Sequence, residues 1–379
     1  MTATSTKYRI THKGDYSSMA NHIILPAETQ EPKGGGKPFS RILQDKSSTG
    51  KDRCWADRKA NNELLARAYD IVDRRKAARL RECATILIME EWADGSKRLA
   101  AMSSCRVRLC PVCSWRRALK TYANTLQCAQ WVQREQRGVH WLMLTLTVKN
   151  CSGAELRNTL DEMMHGWNRL TQYSDVKRAL RGWYRGLEIT HDVDPLITPS
   201  RYRQAHEYYD RLGLVPGAKN PGFDTFHPHF HCLLAVPPGY FKGGNYISAD
   251  RWRELWALAM GLDYSPEVRI EKMRVRGDQL DLQHSVAEAA KYSCKPGDYI
   301  LPDDWELSVA TVATLDLALA GRRLIAYGGA LRDAHRALNL DDEETGDLID
   351  VGEPQQDHAE PGKMVTYVWH TGYRQYYSI

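Results

Sequence analysis

Hydrophobic positions along the chain change their period several times, and each change marks a predicted element. Between Asn61 and Trp92, apolar residues Leu64, Leu65, Ala68, Ile71, Val72, Leu87 and Ile88 recur at helical spacing among basic positions. A second helical stretch is predicted from Ser114 to Gln136. Val139 to Val148 then alternates and is β-prone, which predicts a strand. Leu156, Leu160, Met163, Met164, Trp167 and Leu170 follow at the spacing of an amphipathic helix. Trp183–Thr190 and Phe226–Val236 read as two more strands, separated by a polar loop over 191–222. Residues 281–295 read as a helix stopped by Pro296-Gly297, and two apolar helices are expected in 305–338. Residues 351–379 form a polar tail with a β-prone end, and 1–50, rich in Ser, Thr, Lys and Gly, read as a disordered arm. Strands and helices in this order predict an α+β core with an antiparallel sheet.

Hydrophobic residues make up 42% of the 379 positions and charged residues 26%, ordinary values for a soluble globular protein of two or three domains. No window approaches the ~20 apolar residues of a bilayer span, and the polar N-terminus carries no secretory h-region. Nine cysteines, an odd number, without an export signal favour reduced thiols and a cytoplasmic location. The net charge of +5 is compatible with nucleic-acid binding, and its distribution sharpens the point. Basic runs at 74–81 and 115–120 make Arg74, Arg75, Lys76, Arg116, Arg117 and Lys120 candidate DNA contacts. The plainer reading, a solvated helix face, stays open.

The sharpest local signal is His227-Pro228-His229-Phe230-His231 leading into an apolar strand. Side chains alternate across a strand, so His229 and His231 leave the same face, close enough to grip one ion. His227 shares their parity, but Pro228 cannot donate to a ladder and places it at the mouth of the strand, so its claim is weaker. A divalent ion needs more than two neutral imidazoles, and Glu188, flanked by the core-facing Leu187 and Ile189, is the candidate carboxylate. Downstream, Glu288, Tyr292 and Lys295 fall at i, i+4 and i+7, one stripe of one helix. Tyrosine is a weak nucleophile until a neighbouring charge helps it ionise; Lys295 can do that or hold a phosphate, and Glu288 can accept a proton. Tyr299 is the nearby rival nucleophile.

Leu144-Thr145-Leu146-Thr147-Val148-Lys149-Asn150, then His-Pro-His-Phe-His, then Glu-x-x-x-Tyr-x-x-Lys follow in an order that resembles the HUH endonucleases. More narrowly, residues 75–345 resemble the single-tyrosine Rep_1 initiators of rolling-circle plasmids, Arg108–Arg117 and Gly321–Gly329 included. The resemblance implies a five-stranded antiparallel sheet with the histidine pair on a central strand. It further implies Mg²⁺ or Mn²⁺ at the site, attack by Tyr292 on origin DNA, a 5′-phosphotyrosine link and a free 3′-hydroxyl primer. Glu288 matches the glutamate that activates the terminating attack. Partners implied are double- and single-stranded plasmid origin DNA and host replication proteins; a homodimer is compatible. No Walker loop is present, so a host helicase is expected.

Cys105, Cys110 and Cys113 bring three thiols within reach of one ion, with Cys83 as the fourth and Cys54 or Cys128 as substitutes. Structural Zn²⁺ is the natural occupant, and buried free thiols are the alternative. The expected organisation is an arm (1–50), a basic helical region with the zinc-binding cysteines (51–136), an HUH catalytic domain (137–300), a helical extension (301–350) and a tail (351–379). Two other functions remain open: a zinc-containing DNA-binding protein without nuclease activity, and a hydrolase using His227, His229 and His231 as a three-histidine zinc site.

Overall fold

The computed structural model describes residues 41–47, 50–273, 279–290, 293–352 and 358–379. Helix α1 (Trp55–Val72) buries Trp55, Lys59, Asn62, Leu65, Ala66 and Tyr69. Helix α2 (Arg74–Glu82) is capped by the Asp73 carboxylate, which accepts from the backbone N–H of Arg75 and Lys76. The helical expectation through Trp92 is corrected here. Ala84 takes a positive φ of 52° and the chain enters strand β1 (Ile86–Glu91), followed by β2 (Lys97–Met102). Helix α3 (Pro111–Glu135) starts with Cys110 as its cap and Pro111 at its first position, where a missing N–H costs nothing.

Strand β3 (His140–Thr147), helices α4 (Gly153–Leu170) and α5 (Ser174–Ala179) and strand β4 (Gly182–Asp192) come next. The predicted polar loop contains two short helices, α6 (Pro199–Gln204) and α7 (His206–Arg211). Then follow β5 (Thr225–Val236), α8 (Ala249–Met260), β6 (Val268–Lys272), α9 (Gln279–Ala289), α10 (Trp305–Leu319), β7 (Ile325–Gly329) and α11 (Ala330–Ala337). The tail supplies β8 (Lys363–His370) and β9 (Gln375–Ser378).

Two antiparallel sheets result, so the class is α+β. One has the order β6-β3-β5-β4-β7, with the histidine strand in the middle; the other has the order β2-β1-β8-β9. The second sheet joins the N-terminal helical region to the tail: Ile86 faces Val368 and Met89 faces Val365. In the five-stranded sheet, one face (Leu144, Leu146, Leu187, Ile189, Phe230, Cys232, Leu234) packs beneath α4, α8 and α10. The opposite face is apolar over half its length, where Trp141, Tyr184, Leu233 and Ala235 meet α3, α9 and α11. Beyond that apolar half, the same face turns polar with Thr145, Thr147, Glu188, His229 and His231.

Candidate metal centres and nucleophile segment

Register explains the first centre. Glu188 on β4 stands directly across from His229 on β5, and His231 faces Thr145 on β3. Glu188, His229 and His231 offer ligand atoms that all lie within 4.8 Å of one another. One carboxylate oxygen, Oε2, lies 3.0 Å from His231 Nε2 and 3.5 Å from His229 Nε2. The other, Oε1, lies 3.2 Å from the Lys295 ammonium. Burial works against ionisation of Glu188. The two imidazoles and Lys295 outweigh it and hold the carboxyl well below its usual range. One carboxylate and two imidazoles form a mixed O/N donor set that suits a divalent cation. His227 stacks on His229 at 5.2 Å between ring centroids but does not join this group. Burial, then the charge of His229, lowers its pKa to about 4.

The helix predicted to carry the nucleophile ends earlier than expected, at Ala289. Tyr292 lies outside the described residues, but the residues around it are anchored to β4. Tyr184 Oη donates to the Ala289 carbonyl at 3.3 Å, and Ile189 N–H donates to the Ser293 carbonyl at 2.7 Å. Gly186 permits this approach: a Cβ there would sit 2.9 Å from the Ala289 oxygen. Glu288 is half-buried on α9. After Lys295 the chain turns, and Lys295 N–H donates to the Asp298 carboxylate at 3.1 Å. His191, buried and stacked on Phe226, fixes that turn, with Nδ1 3.0 Å from the Asp298 carbonyl and Nε2 3.0 Å from Asp224. Tyr299 is buried, and its hydroxyl donates to the Leu109 carbonyl at 2.6 Å.

Leu109 belongs to the second centre. Cys83, Cys105, Cys110 and Cys113 are all buried, with sulfur atoms within 4.8 Å of one another. Cys83 lies 3.6 Å from both Cys110 and Cys113, and Cys105 lies 3.7 Å from Cys113. All nine cysteines are free thiols. Tetrahedral metal–sulfur bonds of about 2.3 Å place thiolates about 3.8 Å apart, so the four sulfurs match the edges of a single-ion tetrahedron. They are too close to enclose a multi-iron cluster. Cys83 stands in this group; Cys54 and Cys128 do not.

The sequence profile of the replication protein family Rep_1 matches residues 96–377. The chain belongs to the Rep_1 replication protein family. It is 38% identical over 361 residues to the Protein rep of Bacillus amyloliquefaciens, covering 88% of this chain and 96% of that one. To the Protein rep of Lactiplantibacillus plantarum it is 33% identical over 346 residues, covering 89% and 99%. To that of Streptococcus pneumoniae it is 30% identical over 341 residues, covering 89% and 95%. No solved structure matches the chain.

In this Rep_1 protein the candidate DNA contacts divide. Arg74 and Arg75 are exposed, whereas Lys76 is half-buried and pairs with Asp316 at 2.6 Å. Arg116 and Lys120 are corrected outright: both are buried and spent on the acidic segment. Arg116 Nε donates to the Leu348 carbonyl at 2.9 Å, while Lys120 bonds the Asp347 carbonyl at 2.7 Å and contacts Asp341. Arg117 is half-buried, and its Nε and Nη1 are buried with no hydrogen-bond partner among the described residues. The acid-rich segment 341–350 is the counterpart of one basic run.

Sequence reasoning missed Lys59, Asn62, Gly186 and His191. Lys59 and Asn62 had a signal: they interrupt the stripe Trp55, Lys59, Asn62, Ala66 on the buried face of α1. Gly186, isolated inside a strand pattern, carried another. No helix among the described residues is long and apolar enough to cross a membrane.

Proposed function

We propose that this chain initiates rolling-circle replication of a plasmid by nicking one strand of the double-strand origin as an HUH-type endonuclease. The observation that carries the reading is the Glu188–His229–His231 group with Lys295 on its second carboxylate oxygen, 3.2 Å away, beside a nucleophile segment tied to the same strand. In this reading Tyr292 Oη attacks the scissile phosphorus and the P–O3′ bond breaks. The departing 3′-oxygen takes up a proton and becomes the primer hydroxyl, leaving the 5′-phosphate on the tyrosine. Mg²⁺ or Mn²⁺ held by Glu188, His229 and His231 would supply Lewis-acid polarisation of the phosphate. Lys295 orients Glu188 and adds positive charge beside the metal group. Glu288, four residues before Tyr292 in the sequence, takes the proton of the water or hydroxyl that ends the round. Zn²⁺ at the four cysteines would be structural.

The proposed partners are origin DNA, double- and single-stranded, and a host helicase, with a homodimer as the candidate assembly and the cytoplasm as the location. Incubating supercoiled origin plasmid with the protein and Mg²⁺ or Mn²⁺ tests the reading. An open-circular product with protein attached after denaturation is expected. Specific binding without cutting would favour a DNA-binding protein, and cutting retained in Tyr292→Phe would favour a metal-bound water.

A further inference from the structure

A buried cation, Lys59, and a half-buried one, Arg117, flank the four-cysteine centre, and among the described residues neither bonds a carboxylate. Lys59 is 1% exposed. Its ammonium donates to neutral acceptors: the carbonyls of Arg81 and Cys83 at 2.7 Å each, Thr85 Oγ1 at 3.2 Å and Asn62 Oδ1 at 3.5 Å. Arg117 lies one helical turn after Cys113 on α3, and two of its guanidinium nitrogens are buried with no acceptor among the described residues. A buried charge without a bonded counter-ion is costly. Four neutral thiols would leave Lys59 with only the nearby charge of Glu63, and Arg117 with no carboxylate that it bonds among the described residues. Four thiolates around one divalent ion carry a net charge of −4 + 2 = −2, which two monovalent cations balance.

The remaining surroundings are those of a centre built for thiolates. Asn62 Nδ2 donates to Cys110 Sγ at 3.2 Å, Cys113 N–H donates to the same sulfur at 3.5 Å, and Cys105 N–H donates to Cys83 Sγ at 3.4 Å. Hydrogen bonds to sulfur and nearby fixed charge are the means by which surrounding residues tune a metal's ligands. Cys110 is also the cap of a helix of 25 residues, so its sulfur meets the positive end of the α3 dipole.

We propose that Lys59 and Arg117 are the resident countercharges of a zinc tetrathiolate formed by Cys83, Cys105, Cys110 and Cys113. Arg117, read from sequence as a DNA contact, serves the metal. The proposal rests on the four-cysteine geometry and is independent of the nickase reading.

The test uses the full-length protein and measures zinc stoichiometry, zinc affinity by competition with a chromophoric chelator, and the visible spectrum after Co²⁺ replacement. Wild type is expected to hold one zinc at the cysteines and to give tetrahedral, sulfur-ligated Co²⁺ bands. Arg117→Met keeps the length of the side chain and removes its charge, so zinc affinity should fall about tenfold or more. Arg117→Lys restores the charge and should recover most of that loss, and Lys59→Met should weaken binding similarly. Arg74→Met, on the exposed start of α2, should bind zinc as wild type does. Equal loss of affinity in Arg117→Met and Arg117→Lys would overturn the proposal, as would loss of fold in both, since shape rather than charge would then be required. Wild-type affinity in both Arg117→Met and Lys59→Met would overturn it as well. None of these readouts involves DNA, so a failed nickase reading leaves them unaffected.

Discussion

At the scale of single residues, the two tyrosines near the end of α9 have different fates. Tyr299 is buried with its hydroxyl given to Leu109, so it holds the turn after Lys295 against the cysteine centre. Tyr299→Phe removes one buried hydrogen bond and should lower stability by about 1 kcal/mol while leaving the covalent protein–DNA adduct intact. Tyr292→Phe should abolish the adduct with the fold retained, since only one oxygen is lost. Peptide sequencing of the adduct after proteolysis distinguishes the two, and recovery of Tyr299 would end the Tyr292 assignment. His229→Ala or His231→Ala should reduce nicking to below about 1% of wild type with DNA binding retained, because the ion acts on the phosphate and not on the duplex. Nicking at wild-type rate in both would remove the metal assignment.

At the scale of elements, a glycine and a basic helix make contrasting cases. Gly186→Ala places a methyl 2.9 Å from the Ala289 backbone oxygen, so α9 or β4 must shift. Overpacking of this kind costs about 1–3 kcal/mol, and nicking should fall further than origin affinity does. Equal losses in both would mean that the close approach serves only the fold. Removing the charges of Arg74 and Arg75 should reduce the slope of log affinity against log salt by about 0.9 for each phosphate no longer neutralised. Arg116→Ala and Lys120→Ala should instead lower the melting temperature, since their partners are Leu348, Ile349, Asp341 and Asp347.

The same contrast shows what the chain discloses. β3, β4 and β5 are readable because each is rich in apolar, β-prone residues that pack into cores on the two faces of the sheet. β6 is a short edge strand, Val-Arg-Ile-Glu-Lys, and β7 is Ile-Ala-Tyr-Gly-Gly, so neither has the period or the branched residues to stand out. β1 begins four residues after α2 and continues its apolar content, so it passes for helix. The ligand groups are visible as residue types at fixed spacing. Arg116 and Lys120 mislead because a local run of cations says nothing about acids and carbonyls far along the chain.

At the scale of the whole molecule, the acidic segment and the tail close the structure onto its N-terminal third. Burial works against ionisation of Asp342, but hydrogen bonds from Thr345 and the nearby charge of Arg323 outweigh it and bring its pKa to about 2. A carboxyl lowered from its unfolded value near 3.8 stabilises the fold above that value and loses its effect as pH falls toward 2. Asp342→Asn should therefore be less stable than wild type at pH 6, with the two converging near pH 2 in denaturant titrations. A constant gap across that range would exclude the ionised carboxylate as the source.

The tail strands also set an order of synthesis. Tyr376 Oη donates to the Ala84 carbonyl at 2.5 Å and Trp369 N–H donates to the Thr85 carbonyl at 2.9 Å, so the residues just after Cys83 are clamped by the segment translated last among the elements described. All strands of the five-stranded sheet leave the ribosome earlier than β8 and β9. A nascent chain can therefore assemble the face that carries Glu188, His229 and His231 while the clamp beside Cys83 is still missing. Ribosome-bound chains halted before residue 363 should show Cys83 open to alkylation, and chains extended until β9 has emerged should show it protected. Translation would then act as the checkpoint: a chain halted before the tail strands emerge exposes Cys83, and that exposure tells it apart from one in which they have emerged.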